Sequence, residues 1–97
     1  MNRQQVIEIL HEALPGIRGR FGVQDLAIFG STARDEAGPD SDVDVLVTFD
    51  GPTRFRAFMG LQFELETLLG VRVDLVTPKA MRSALRPHIE RDLIHVA

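Results

Sequence analysis

The sequence predicts an α/β (α+β) domain: a small mixed β-sheet of about three to four strands with helices packed on it. Three observations predict it. Amphipathic segments of helical period alternate along the chain with short apolar, β-branched runs. Glycine or proline punctuates the joints between them, at Pro15-Gly16, Gly30, Gly38-Pro39, Gly51-Pro52, Gly70 and Pro78. The chain has 97 residues, a size suited to one hydrophobic core, so residues 1–97 are expected to form a single domain.

The elements follow in order. Asn2 to Leu14 places Val6, Ile9, Leu10 and Ala13 at helical spacing. Asn2 can cap this helix, and Gln5, three residues on, completes a capping box. Pro15-Gly16 is expected to punctuate it, with Ile17 to Phe21 adding a further turn or two. Asp25 to Phe29 is an apolar run ended by Gly30 and predicts a buried strand. A Gly-Ser turn follows, then a short polar segment from Thr32 to Ala37, and Gly38-Pro39-Asp40 breaks the chain. Ser41 to Phe49, SDVDVLVTF, is the clearest strand, closed by Asp50-Gly51-Pro52. Phe55 to Leu69 is an amphipathic helix with Phe58, Leu61, Leu65, Leu68 and Leu69 on one face and Gly70 as its stop. Phe55, Phe58 and Phe63 are expected to be mostly core. Val71 to Val76 is a strand ended by Pro78. From Ala80 the tail reads as helix, with Pro87 early in it and Ile89, Leu93 and Ile94 facing inward. The pattern leaves open which strands pair in parallel.

Composition excludes several classes of function. The net charge of −3 gives no general attraction to nucleic acid, and no direct binding to it is expected. Without cysteine there are no disulfides, thiolate metal sites or cysteine nucleophile. His11, His88 and His95 are scattered, with no metal-ligand spacing, and are expected at the surface or satisfied by hydrogen bonds. No apolar stretch approaches a membrane span and no signal-peptide pattern opens the chain, so a cytoplasmic protein without a membrane partner is expected. A chain of this size buries only about 60–65% of its unfolded surface. It has little room for a private substrate cleft, which favours a homo- or hetero-oligomer.

Three acidic residues stand out by position. Asp42 and Asp44 lie two apart on the best strand, so their side chains leave one face while Val43, Val45 and Val47 take the other. Asp74 lies in the middle of the last strand. Carboxylates brought together repel, and a divalent cation relieves that repulsion. Hard oxygen ligands, with substrate phosphates supplying the rest, describe a Mg²⁺ site. A calcium loop is excluded: in the register of Asp40, Asp42 and Asp44, Val45 stands where glycine is needed and Gly51 where a glutamate belongs. Gly30-Ser31 follows a predicted strand and opens a short helix, where free backbone N–H groups favour an anion. Arg34, in the same turn, can pair with the same phosphates. No P-loop and no dinucleotide-binding glycine pattern is present. Arg54 and Arg56 are expected in a solvated loop.

Gly30-Ser31, ten residues, Asp42-Val43-Asp44 and a later strand aspartate together resemble the nucleotidyltransferase superfamily of DNA polymerase beta. The longer string GSTARDEAGPDSDVDVLV resembles its minimal nucleotidyltransferase (MNT) family, and the likeness extends to the leading helix and the LRPHIERDLIHVA ending. The resemblance implies an enzyme that uses two Mg²⁺ ions, with Asp42 and Asp44 binding both metals and Asp74 completing the site and helping to activate the incoming hydroxyl. Gly30 and Ser31 would hold the β- and γ-phosphates, with Arg34 nearby. It implies ATP as the nucleotide and a HEPN-family ribonuclease toxin as the partner, AMPylated on a tyrosine and thereby neutralised, which would make this chain an antitoxin. Asp35 departs from the family pattern, standing where a glycine commonly follows the arginine, and is expected to face solvent. Two alternatives share the same residues: transfer to a small molecule, as in aminoglycoside nucleotidyltransferases, and a non-catalytic module that silences a partner by contact.

Overall fold

Among the described residues, four strands form one mixed sheet in the order β3-β2-β1-β4. The computed structural model describes residues 1–81, 83–84 and 86–96. The chain runs α1 (Arg3–Phe21), β1 (Val23–Phe29), α2 (Gly30–Ala33), β2 (Val43–Phe49), α3 (Phe55–Leu69), β3 (Val73–Val76), a 3₁₀ turn (Pro78–Ala80), α4 (Arg86–Asp92) and β4 (Ile94–His95). β1 pairs antiparallel with both β2 and β4, whereas β2 and β3, joined through α3, run parallel.

The predicted capping box is present: the Asn2 side chain accepts from the Gln5 N–H, and the Gln5 side chain accepts from the Asn2 N–H. Pro15 does not punctuate the helix, contrary to expectation. α1 is continuous because Leu14 and Ile17, on either side of the proline, both anchor in the core. Pro15 itself is exposed, and so is His11 one turn earlier, whose carbonyl loses its intrahelical donor and can turn to water. α3 has the predicted bounds, and Leu61, Leu65 and Leu69 form its buried stripe. The phenylalanine expectation fails at two positions. Phe55 is 79% and Phe63 72% exposed, since both lie a quarter-turn or more from that stripe; Leu68 is also at the surface.

α1 and α3 cover one face of the sheet over Leu26, Ile28, Val45, Val47 and Leu75. The opposite face carries a smaller apolar group, Ala27, Phe29 and Leu46, with Val76, Met81, Ile89 and Leu93 packed against it. The predicted tail helix shortens to Arg86–Asp92, and the part of that prediction on Arg82 and Leu85 lies outside the described residues. Ile94 belongs to an edge strand, β4, that the pattern did not reveal; it faces the first core, while Leu93 faces the second.

Candidate active site

Strand register brings the acidic residues together. In the parallel pairing of β2 with β3, Asp44 stands directly opposite Asp74, so both carboxylates leave the same face of the sheet. That is the face opposite α1 and α3, because Val43, Val45, Val73 and Leu75 fill the large core. The predicted strand from Ser41 begins at Val43 instead, which leaves Asp42 one residue before β2. Asp42 is exposed and ion-paired with Arg72 at 3.5 Å, a contact of small energetic weight in water.

Asp44 carries the electrostatic signature of the site. Its carboxyl is half-buried, and desolvation, followed by the charges of Asp74 and Asp42, pushes its pKa up from 3.8 to about 6; the Arg34 guanidinium pulls the other way. The charges of Asp74 and Asp42 thus both reach the Asp44 carboxyl. Among the described residues, no three His, Cys, Asp or Glu side chains are already gathered round a single point. The donor set nevertheless fits Mg²⁺, which takes one or two protein carboxylates and completes its shell with water and phosphate oxygens. A cation here would relieve the repulsion that raises the Asp44 pKa.

The turn after β1 abuts this cluster. Phe29 stands opposite Asp44 in the antiparallel register, and Gly30 follows with φ +71. A Cβ on Gly30 would overlap the Asp44 carboxylate, so glycine is required here by both backbone and space. Gly30 and Ser31 open α2, whose cap residue Phe29 supplies no side-chain acceptor. Among the described residues the leading N–H groups of this turn therefore have no side-chain cap. Arg34 donates from Nη1 to Asp92 at 2.6 Å and from Nε to Glu36 at 3.3 Å. Asp92 was not singled out in the sequence, since only the fold brings it to Arg34. Asp35 has φ +60, the left-handed conformation that favours glycine, and its carboxylate accepts from the Arg3 N–H on α1. It is exposed, as expected, and is held at the start of α1.

The histidines behave as satisfied surface groups: His11 bonds the Val96 carbonyl, His88 meets Arg91 and His95 meets Asp25. An open depression of about 340 Å³ lies beside Asp42, bounded by Asp40, Ser41 and Arg72. A roomier one, about 470 Å³, lies at the far ends of β2 and β3 against Phe49, Thr77 and Lys79. The chemistry belongs with the carboxylates and not with the larger hollow, which they do not line. No described helix is long and apolar enough to cross a membrane.

Comparison with known proteins accords with this geometry. Residues 5–95 match the family model described as a nucleotidyltransferase domain. The chain is 39% identical over 93 residues to the protein adenylyltransferase MntA of Thermococcus cleftensis, covering 96% of this chain and 94% of that one. A solved structure described as a minimal nucleotidyltransferase superposes with a TM-score of 0.80 at 36% identity, covering 97% of this chain and 95% of that one. The fold also matches, with a TM-score of 0.60 and 21% identity, a chain in the complex of a tri-AMPylated Shewanella oneidensis HEPN toxin with its MNT antitoxin, over 99% of this chain and 69% of that one.

Proposed function

Because the chain belongs to the minimal nucleotidyltransferase family, and is thus a nucleotidyltransferase, we propose that it moves AMP from ATP onto a protein hydroxyl. The acceptor in this reading is a tyrosine of a HEPN-family ribonuclease toxin, and the chain acts as the antitoxin. Residues 1–97 work as one catalytic unit, in the cytoplasm where ATP is available and without direct contact to nucleic acid.

The observation that carries the reading is the pairing of Asp44 with Asp74 on one sheet face, with Gly30 packed against Asp44. In it, Asp42, Asp44 and Asp74 would hold Mg²⁺, which would supply screening of the phosphate charges and of the charge that develops on transfer. The Gly30-Ser31 turn and Arg34 orient the β- and γ-phosphates. Asp74, exposed on β3, faces the incoming hydroxyl and receives its proton. The acceptor oxygen bonds to the α-phosphorus, the bond from that phosphorus to the β-bridging oxygen breaks, and pyrophosphate leaves. Two features support a macromolecular acceptor: the names of the relatives, and a site that the described residues leave as an open depression on the sheet.

The test is transfer of label from ATP radiolabelled at the α-phosphorus to a purified HEPN partner in Mg²⁺, with the Asp42→Asn, Asp44→Asn protein as control. Label that reaches the partner only with the intact aspartates supports the proposal. A double variant that still neutralises the toxin in cells would show that contact suffices. Label found on a small molecule would favour the aminoglycoside-like alternative.

A further inference from the structure

Arg34 is held from one side by the C-terminal helix. Its Nη1 donates to Asp92 Oδ2 at 2.6 Å, and its Nε donates to Glu36 Oε2 at 3.3 Å. The two carboxylates are not equivalent. Glu36 is a sequence neighbour whose side chain is 65% exposed, while Asp92 closes α4 and its side chain is only 18% exposed. Asp92 is fixed in turn by the packing of Ile89 and Leu93 on the sheet face that carries Asp44. Arg34 thus joins the turn after β1 to an element 58 residues further along the chain.

The remaining donors of the guanidinium are what matter for chemistry. A guanidinium carries five N–H groups in a planar fork. With Nε and one Nη1 hydrogen engaged, Nη2 makes no hydrogen bond to any described residue. The charge of Arg34 also reaches Asp44, where it opposes the upward pull on that carboxyl. The free edge therefore belongs to a group lying beside the carboxylate cluster.

We propose that Asp92 is a positioning residue for nucleotidyl transfer: its ion pair holds the Arg34 guanidinium at the Gly30-Ser31 turn with the Nη2 edge free to grip the triphosphate. This rests on the reading of Arg34 as a phosphate ligand given above. An exposed arginine loses much side-chain freedom when it clamps an anion. Anchoring it beforehand removes that loss from the binding step, as preorganisation does in general. Asp92 need not let go, because Nη2 and the second Nη1 hydrogen suffice for a two-pronged grip. α4 then has a part in nucleotide binding although none of its side chains need touch the nucleotide.

The experiment is a double-mutant cycle on the affinity for ATP with Mg²⁺, measured by isothermal titration calorimetry on the full chain. Its members are Asp92→Asn, Arg34→Ala and the combination, with Asp92→Glu and Glu36→Gln beside them and thermal melts confirming that each is folded. Asp92→Asn is expected to weaken ATP binding roughly three- to tenfold. Asp92→Glu recovers most of that loss, Glu36→Gln changes little, and Asp92→Asn adds nothing once Arg34 is alanine. If Asp92→Asn lowers the melting temperature but leaves affinity unchanged while Arg34→Ala weakens it, the pair is structural and the proposal is overturned. Tighter binding by Asp92→Asn overturns it too, since Asp92 would then be withholding Arg34. Should Arg34→Ala itself leave ATP affinity untouched, the phosphate-ligand reading fails, and the proposal fails with it. Should Asp92→Asn not fold, Asp92→Ser takes its place in the cycle, with the same expected and overturning results.

Discussion

Replacing Asp44 by asparagine should abolish transfer and, in the absence of metal, make the protein more stable. In the fold the Asp44 carboxyl titrates at about 6 instead of 3.8 because it is desolvated and sits opposite Asp74 with Asp42 nearby. A raised carboxylate pKa means that the folded state binds the extra proton more readily than the unfolded state does. The penalty is therefore absent below the unfolded value, grows as pH rises through the interval from 3.8 to about 6, and is complete above it. A shift of that size corresponds to about 3 kcal/mol if unscreened. The carboxyl is only half-buried, and water and salt reduce this to about 1–2 kcal/mol. For a chain of this length the gain in Asp44→Asn should be roughly 4–10 °C in melting temperature at neutral pH. The assay is thermal melting by circular dichroism in EDTA from pH 5 to 8. Wild type should gain stability as the solution is acidified toward pH 5, and the advantage of Asp44→Asn should shrink in step. Adding Mg²⁺ and ATP should reverse the order, because only wild type then gains binding energy. An Asp44→Asn protein that melts at or below wild type at pH 7.5 in EDTA would refute the reasoning.

Three further outcomes are expected. Gly30→Ala forces a side chain into the left-handed region, at a cost on the order of 1–2 kcal/mol, and pushes the Asp44 carboxylate aside. Urea denaturation should show that modest loss, while label transfer falls far more than stability does. At position 35 the positive φ makes glycine the less strained choice, so Asp35→Gly should exceed Asp35→Ala in stability by about 1 kcal/mol, read from paired urea curves. The Thr32 hydroxyl is buried with no hydrogen-bond partner among the described residues, so Thr32→Val should raise the melting temperature, by an amount near 1 kcal/mol of stability. A fall in the melting temperature of Thr32→Val would show that the hydroxyl is bonded after all.

What could be read from the chain beforehand was whatever local physics dictates. The Asn2–Gln5 box and the bounds of α3 depend on residues within a turn of each other, and both were legible. So was the shared face of the valines in β2, set by strand alternation. The candidate residues were legible as types at a spacing, but the pairing of Asp44 with Asp74 is a matter of register between distant strands, which no local pattern encodes. β4, with two residues, is too short to show a period. Pro15 misled because a proline's local penalty was outweighed by burial of Leu14 and Ile17 around it. Phe55 and Phe63 misled for the complementary reason: hydrophobicity says what a side chain prefers, whereas helix rotation decides where it points.

The register between β2 and β3 has a consequence for when the molecule becomes an enzyme. Gly30 meets Asp44 through an antiparallel pairing of neighbouring strands, a contact that a growing chain can close early. Asp74 arrives only once the α3 crossover has docked and β3 lies alongside β2, a pairing that closes a longer loop than β1 with β2 does. Until then the Gly30-Ser31 turn and two carboxylates exist without the third. The three carboxylates therefore share one side of the sheet only once that longer crossover has closed, so a chain that has formed β1 and β2 alone holds an incomplete cluster.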